Sequence, residues 1–173
     1  MGLINTIDNN RLKELLGKCW MTHDGMWFYH TQSELGMDAA NRLNKKAMES
    51  MVPFEIKRLK NLAGISDDKV RTYDGFKRFF STISDILVPD FMNVGISFEE
   101  PNLVRWEFND KKCFAYNGIS MMGVVEDYEC GPLFRIKCWL NTLGIPYEMD
   151  PDINKCIMPD KGECSGVFRL IWP

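Results

Sequence analysis

The sequence predicts an α+β fold, with N-terminal helices packed on an antiparallel β-sheet. Three observations carry this. Up to about residue 88, apolar residues recur at three- and four-residue steps, the period of a helix with one buried face. From Phe91 the period shortens to two, as in a half-buried strand. The order of segments is helices, a β-hairpin, helices, a second β-hairpin, without the regular strand–helix alternation of a parallel sheet. At 173 residues, with 45% hydrophobic residues, the chain suits one domain over 1–173. Its helical part covers about 8–88, and an α+β part bearing most of the cysteines covers about 91–173.

Asp8 is placed to cap a first helix carrying Leu12, Leu15, Leu16, Cys19, His23, Met26, Trp27 and His30, closed by Gly36. Asp38 is the expected cap of a second, with Leu43, Ala47, Met48, Met51, Phe54, Leu59 and Leu62 on one face. Pro53 should kink it, and Gly64 should end it. A third helix is expected from about Asp74, with Phe76, Phe79, Phe80, Ile83 and Leu87, stopping before Pro89. Met92, Val94, Ile96 and Phe98 then mark a strand, 100–102 a turn, and Leu103 to Phe108 a returning strand that continues past an Asn109-Asp110 break to Cys113. Asn117 is the expected cap of a short helix. Gly131-Pro132 opens another, since proline is pre-shaped for a first helical turn, and Gly144 ends it. Two last strands are expected over Pro146–Met158 and Gly166–Trp172, joined by a turn at 159–162.

Composition narrows the function classes. The net charge is −3 and no basic stripe appears, which argues against nucleic-acid binding. The lysines and arginines from Lys45 to Lys60 are interleaved with apolar residues and read as a solvated helix face. No apolar run is long enough to cross a bilayer, and the first residues lack a secretion pattern, so the expected location is cytoplasmic, with no membrane partner. There is no phosphate-binding glycine loop, dinucleotide fingerprint, HExxH helix or Gly-x-Ser-x-Gly elbow.

The cysteines carry the chemistry. Of six, Cys113, Cys130, Cys156 and Cys164 stand where ordered elements should begin or end, so their side chains can converge from distant parts of the chain. Cys130 precedes a helix start, where free N–H groups and the helix dipole favour a thiolate. Cys156 and Cys164 lie eight apart around the expected turn, a spacing that lets a hairpin bring two sulfurs together, as in many zinc sites. Cys138, about 12 Å along the helix from Cys130 by its rise per residue, cannot share that centre. It reads with Cys19 as a buried small apolar side chain. A convergent group would be a metal site or a reactive-thiol site; scattered sulfurs would be ordinary core.

The stretch from Cys130 to the end, with Gly131, Gly144, Cys156, Gly162, Cys164 and Phe168 to Trp172, resembles the small-molecule-binding domain named after vinyl reductases. The resemblance implies zinc ligands at Cys130, Cys156 and Cys164. The acidic ligand of that domain falls on Ile153, which cannot coordinate; Asp152 is adjacent, and Cys113 is the alternative fourth ligand. A second resemblance spans more of the chain. Asp24-Gly25-Met26-Trp27-Phe28, Gly36, Arg58-Leu59-Lys60 and Gly64-Ile65 are similar to a bacterial and archaeal group related to L-2-amino-thiazoline-4-carboxylate hydrolase, whose cysteines match Cys113, Cys130 and Cys164. Both groups imply one ligand-binding α+β fold, shared with Golgi-tethering subunits. The sensor domains among them dimerise, which makes a homodimer the expectation.

Two functions follow. The first is a small-molecule- and metal-binding domain, with zinc on Cys113, Cys130, Cys156 and Cys164 beside an apolar pocket. The second is a hydrolase of a small cyclic amidine or thiazoline, with Cys130 as nucleophile and His23 as base. An iron–sulfur cluster on the same cysteines is a third, minor option. Trp20, Trp27, Phe28, Phe76, Phe79 and Phe80 are candidates for a cavity wall or for core. Glu126, Asp127 and Glu129 read as a solvated face, or as acceptors beside Cys130. Gly25, inside a helix, calls for a packing or ligand reason.

Overall fold

Two long helices begin the chain and lie against each other. A computed structural model describes residues 2, 5–108 and 112–172. Helix α1 spans Asn9–Leu35, capped by the Asp8 carboxylate, which accepts from the amides of Asn10 and Arg11. Helix α2 spans Met37–Ala63 and continues through Pro53. Its N-cap is Gly36 rather than Asp38, which sits in the first turn, where its charge still suits the helix dipole. Gly64 ends α2 in the left-handed conformation, with φ 61°.

A one-turn helix, α3 (Asp67–Val70), was not expected from the sequence, being too short to show a period. Helix α4 (Tyr73–Leu87) begins one residue before the expected Asp74 and is capped by Thr72, whose hydroxyl accepts from the Gly75 amide. Its buried Phe76, Phe79, Phe80 and Ile83 form a stripe at helical spacing. Each such side chain contributes about 1.5–3 kcal/mol when fully withdrawn from water.

The sheet has strands β1 (Val94–Glu99), β2 (Leu103–Phe108), β3 (Tyr147–Asp150) and β4 (Cys164–Leu170) in the order β1-β2-β4-β3, all neighbours antiparallel. Val104, Trp106 and Phe108 of β2 and Phe168 and Leu170 of β4 face a core shared with α2, α4 and α6. Arg105, Glu107 and Arg169 alternate to the solvated face, so one side of the sheet is covered and the other wet. The architecture is therefore α+β with an antiparallel sheet and helices ahead of it.

The remaining elements surround the cysteines. Helix α5 spans Phe114–Met121, α6 spans Gly131–Leu143, and α7 spans Met158–Lys161. Several expectations change here. Cys113 caps α5 rather than ending a strand, and Asn117 lies inside α5; the Asn109-Asp110 break falls outside the described residues. Strand β3 is much shorter than Pro146–Met158, because Pro151 has no N–H to give to a ladder. The segment expected as a turn is the one-turn helix α7, closed by Gly162, and β4 begins at Cys164, two residues before the expected Gly166.

Candidate functional site

Each of the four selected cysteines occupies the end of an element. Cys113 is the N-cap of α5, Cys130 the N-cap of α6, Cys156 lies just before α7, and Cys164 is the first residue of β4. Backbone pairing draws them together. The amide of Cys130 donates to Asn154 O at 2.7 Å, and that of Cys156 to Tyr128 O at 3.2 Å, around an antiparallel bridge between Glu129 and Lys155. Buried Asn41 of α2 fixes the same segment, its Nδ2 donating to Asp127 O and its Oδ1 accepting from the Glu129 amide. Cys164 pairs across the sheet with Phe108, the last residue of β2, close to where the chain leaves for Cys113.

The four sulfurs lie within electrostatic reach of one another in every pairing: Cys130 with Cys113, Cys164 and Cys156, Cys113 with Cys164 and Cys156, and Cys164 with Cys156. Burial pushes the Cys130 thiol up to about 12 and the Cys113 thiol up to about 11. Cys156 and Cys164 are raised by burial in the same direction. Nearby N–H groups act against that rise, although neither Cys113 nor Cys130 accepts a side-chain capping hydrogen bond. These groups are the Leu133 amide at Cys130, the Tyr116 and Ala115 amides at Cys113, the Met158 amide at Cys156, and the Trp106 indole at Cys164. Trp106 Nε1 is buried and makes no hydrogen bond to the neutral thiol. Among the described residues no three His, Cys, Asp or Glu side chains already stand in a ready-made metal geometry. Burial favours the protonated form of each of the four thiols.

Other residues singled out in the sequence lie elsewhere. His23 is exposed, and its Nε2 accepts from the Trp27 indole at 3.2 Å. No histidine is among the groups that perturb Cys130. His30 is exposed and stacks edge-on against Tyr29. Ile153 is buried, while Asp152 is exposed and paired with Lys137, whose ammonium holds its carboxyl below the usual range. Asp127 pairs with Lys155 and Glu129 with Lys45. Cys138 is buried; Cys19 is exposed, contrary to expectation, because no residue of α1 is buried. Trp20 and Trp27 are exposed for the same reason, whereas Phe76, Phe79 and Phe80 are core.

Beside the thiols lies a cavity of about 680 Å³ between α1, α2, α5 and the start of α6. That size suits a small organic ligand. Asp24, Gly25, Met26 and Phe28 line it, so the stretch that carried the wider resemblance forms one wall. Tyr128 separates cavity from thiols. Its ring packs edge-on against Phe28 with centroids 5.5 Å apart, and its hydroxyl accepts from the Gly131 amide, next to Cys130. Burial raises the Tyr128 phenol far above its ordinary value, followed by the effect of Cys130. A Cβ on Gly131 would come within 2.8 Å of Tyr128 Oη and 2.9 Å of Met48 Cε, so a larger residue would displace both side-chain tips.

Sequence reasoning did not single out Asn41, Trp106, Tyr128 or Arg135. Trp106 showed only as an inward position of an alternating strand, and nothing in the sequence marks an indole left without an acceptor. Arg135 is held by Glu55, whose carboxylate also accepts from Trp139 Nε1 at 2.7 Å, and it stacks on Trp20 at 4.8 Å.

A family model described as a family of unknown function (DUF6125) matches residues 7–81, from the start of α1 into α4, which is less than half of the chain. No curated protein and no solved structure matches. No helix among the described residues is long and apolar enough to cross a membrane.

Proposed function

We propose that this chain is a small-molecule- and metal-binding domain in which Cys113, Cys130, Cys156 and Cys164 take a zinc ion beside an apolar cavity, in a ligand-binding fold of the vinyl-reductase type. One observation carries the reading. Four thiols at or next to the starts of α5, α6, α7 and β4 act on one another electrostatically, and a nearby N–H group at each works against the rise that burial imposes. The Trp106 indole beside Cys164 is buried without a hydrogen-bond partner, which packing alone does not account for. A soft divalent ion would replace the protons, and the charge on the ion would offset the burial that now raises the thiols. With four protein ligands and no open position, the centre would be structural, holding the starts of α5, α6 and β4 in register.

The geometry favours metal over the hydrolase alternative. A nucleophilic Cys130 would have to be a thiolate near neutral pH, whereas burial holds it up at about 12 and His23 is engaged with Trp27. The test is metal analysis of the purified protein combined with thiol titration under native conditions. About one equivalent of zinc, with the four cluster thiols protected until a chelator is added, is the expected result. No metal together with one fast-reacting cluster thiol would overturn the reading and restore the nucleophile. Substitution of cobalt for zinc would count the thiolates through sulfur-to-metal charge-transfer absorption.

A further inference from the structure

Two glycines stand inside helices without a packing reason. Gly25 in α1 and Gly118 in α5 both lack any atom within 4 Å of where a Cβ would be, so no neighbouring element needs the room. Glycine weakens a helix interior relative to alanine, so the open space it leaves calls for a use. Both glycines line the same cavity, one from α1 and one from α5. The rest of that wall includes the rings of Phe28, Phe91 and Phe114 and the thioethers of Met21, Met48 and Met122.

The charges on the wall are not equivalent. Lys18 pairs with Glu14 at 3.4 Å and sits over the Phe91 ring at 5.5 Å. Arg135 is held by Glu55 and stacked on Trp20. Asp24 has no hydrogen-bond or ion-pair partner among the described residues. Desolvation raises its pKa, against the opposing effects of Arg135 and His23. An anionic ligand would find both cations in ion pairs, whereas a cationic one would find the Asp24 carboxylate, held by no ion pair and acted on by Arg135 only through space, beside aromatic faces, which attract cations.

We propose that the cavity binds an amphiphilic organic cation, an alkyl- or arylammonium compound, with its head at Asp24 and its apolar body against Phe28, Phe91 and Phe114. This rests on the reading of the cavity as a ligand site and deepens it by assigning the ligand's charge. It does not depend on which ion the thiols hold.

The test is calorimetric titration of the full-length protein, as purified, with 4-phenylbutylamine, 4-phenylbutanol and 4-phenylbutyrate. The amine is expected to bind at least about tenfold tighter than the carboxylate, a difference of about 1.4 kcal/mol, with the alcohol between them. Asp24→Asn, at an exposed helix position, should leave the unfolding temperature unchanged and bring the amine down to the affinity of the alcohol. Gly118→Leu, which extends into open space, should abolish binding of all three without destabilising the fold. Equal binding of amine and carboxylate, or an amine affinity indifferent to Asp24→Asn, would overturn the charge assignment while leaving a ligand site. Failure of all three to bind the wild-type protein would overturn the ligand-site reading as well. Undiminished binding to Gly118→Leu would place the ligand outside the cavity.

Discussion

Raising the pH should separate the metal-free and metal-bound forms in opposite directions. In the metal-free protein, Cys130 and Cys113 have folded-state values of about 12 and about 11, against 9.0 when unperturbed. The folded state therefore keeps protons that the unfolded chain releases. Stability is fully present below pH 9 and is lost as pH rises through the window up to the folded values. At pH 10 each thiol held protonated should remove about 1.4 kcal/mol, so the pair removes about 2–3 kcal/mol. For a chain of this size that is a fall in Tm of about 4–12 °C between pH 8 and pH 10. In the zinc-bound form the sign reverses. Thiolates held by the ion have folded values below 9.0, so stability is present above pH 9 and lost as pH falls through those values. The assay is thermal unfolding at intervals from pH 7.5 to 10, with and without chelator. A chelator-treated protein whose Tm stays level to pH 10 would refute the account of the buried thiols. The same downward slope in both samples would refute the metal centre.

Cys130→Ser and Cys164→Ser should each reduce bound zinc to a trace in elemental analysis, whereas Cys19→Ser, on the exposed face of α1, should keep the full equivalent. Gly131→Ala should destabilise by about 1–3 kcal/mol in urea unfolding, because the new methyl meets Tyr128 Oη and Met48 Cε at under 3 Å. Glu55→Ala should cost about 2–5 kcal/mol by the same assay, since it strands the guanidinium of Arg135 and the Trp139 indole, while Glu55→Gln should cost less because its carbonyl can still accept from one donor. Gly25→Ala should stabilise by about 0.5–1 kcal/mol, its Cβ entering empty space.

Which parts were legible in the sequence has a physical pattern. Signals carried within a few residues were readable. Asp8 caps α1, Gly64 and Gly144 take the left-handed conformation that ends their helices, and the alternation through Ile96, Phe98, Val104 and Trp106 marks paired strands. The helix-start position of Cys130 was a local signal of the same kind, whereas Cys113 caps α5 instead of ending a strand and the turn expected between Cys156 and Cys164 is the one-turn helix α7. What failed was local competition between near-equal choices. The helix expected from about Asp74 starts at Tyr73 behind a Thr72 cap, whose hydroxyl reaches the Gly75 amide, and the helix expected to be capped by Asn117 starts earlier, behind Cys113. What was invisible was long-range. Asn41 fixes the 127–129 segment across more than 80 residues of chain, and α1 shows an amphipathic spacing although none of its residues is buried. Periodicity states that a face is apolar; it does not state what covers it.

The cavity and the thiols share their framework, and this constrains how either can act. Phe114 follows Cys113 at the start of α5, and Gly131 follows Cys130 at the start of α6; all but the two cysteines line the cavity. Tyr128 touches both sides, through its ring to Phe28 and its hydroxyl to the Gly131 amide. A ligand that wedges Phe28 away from Tyr128 would loosen the hydroxyl that fixes Gly131, and with it the amides that face Cys130. Drawing the four sulfurs onto an ion would in turn fix the starts of α5 and α6, so that less ordering remains for a ligand to complete. Binding at one place should therefore favour binding at the other when both want the same helix positions, and oppose it when they do not. Linkage requires the effect to be mutual: whatever factor zinc applies to the affinity for an amine, the amine must apply to the affinity for zinc. Titrating 4-phenylbutylamine into zinc-loaded and chelated protein, and zinc into amine-saturated and free protein, measures both factors. Tyr128→Leu, which keeps an apolar wall and removes the hydroxyl, should bring both toward one without abolishing either binding event, because the hydroxyl is the one contact that spans the two.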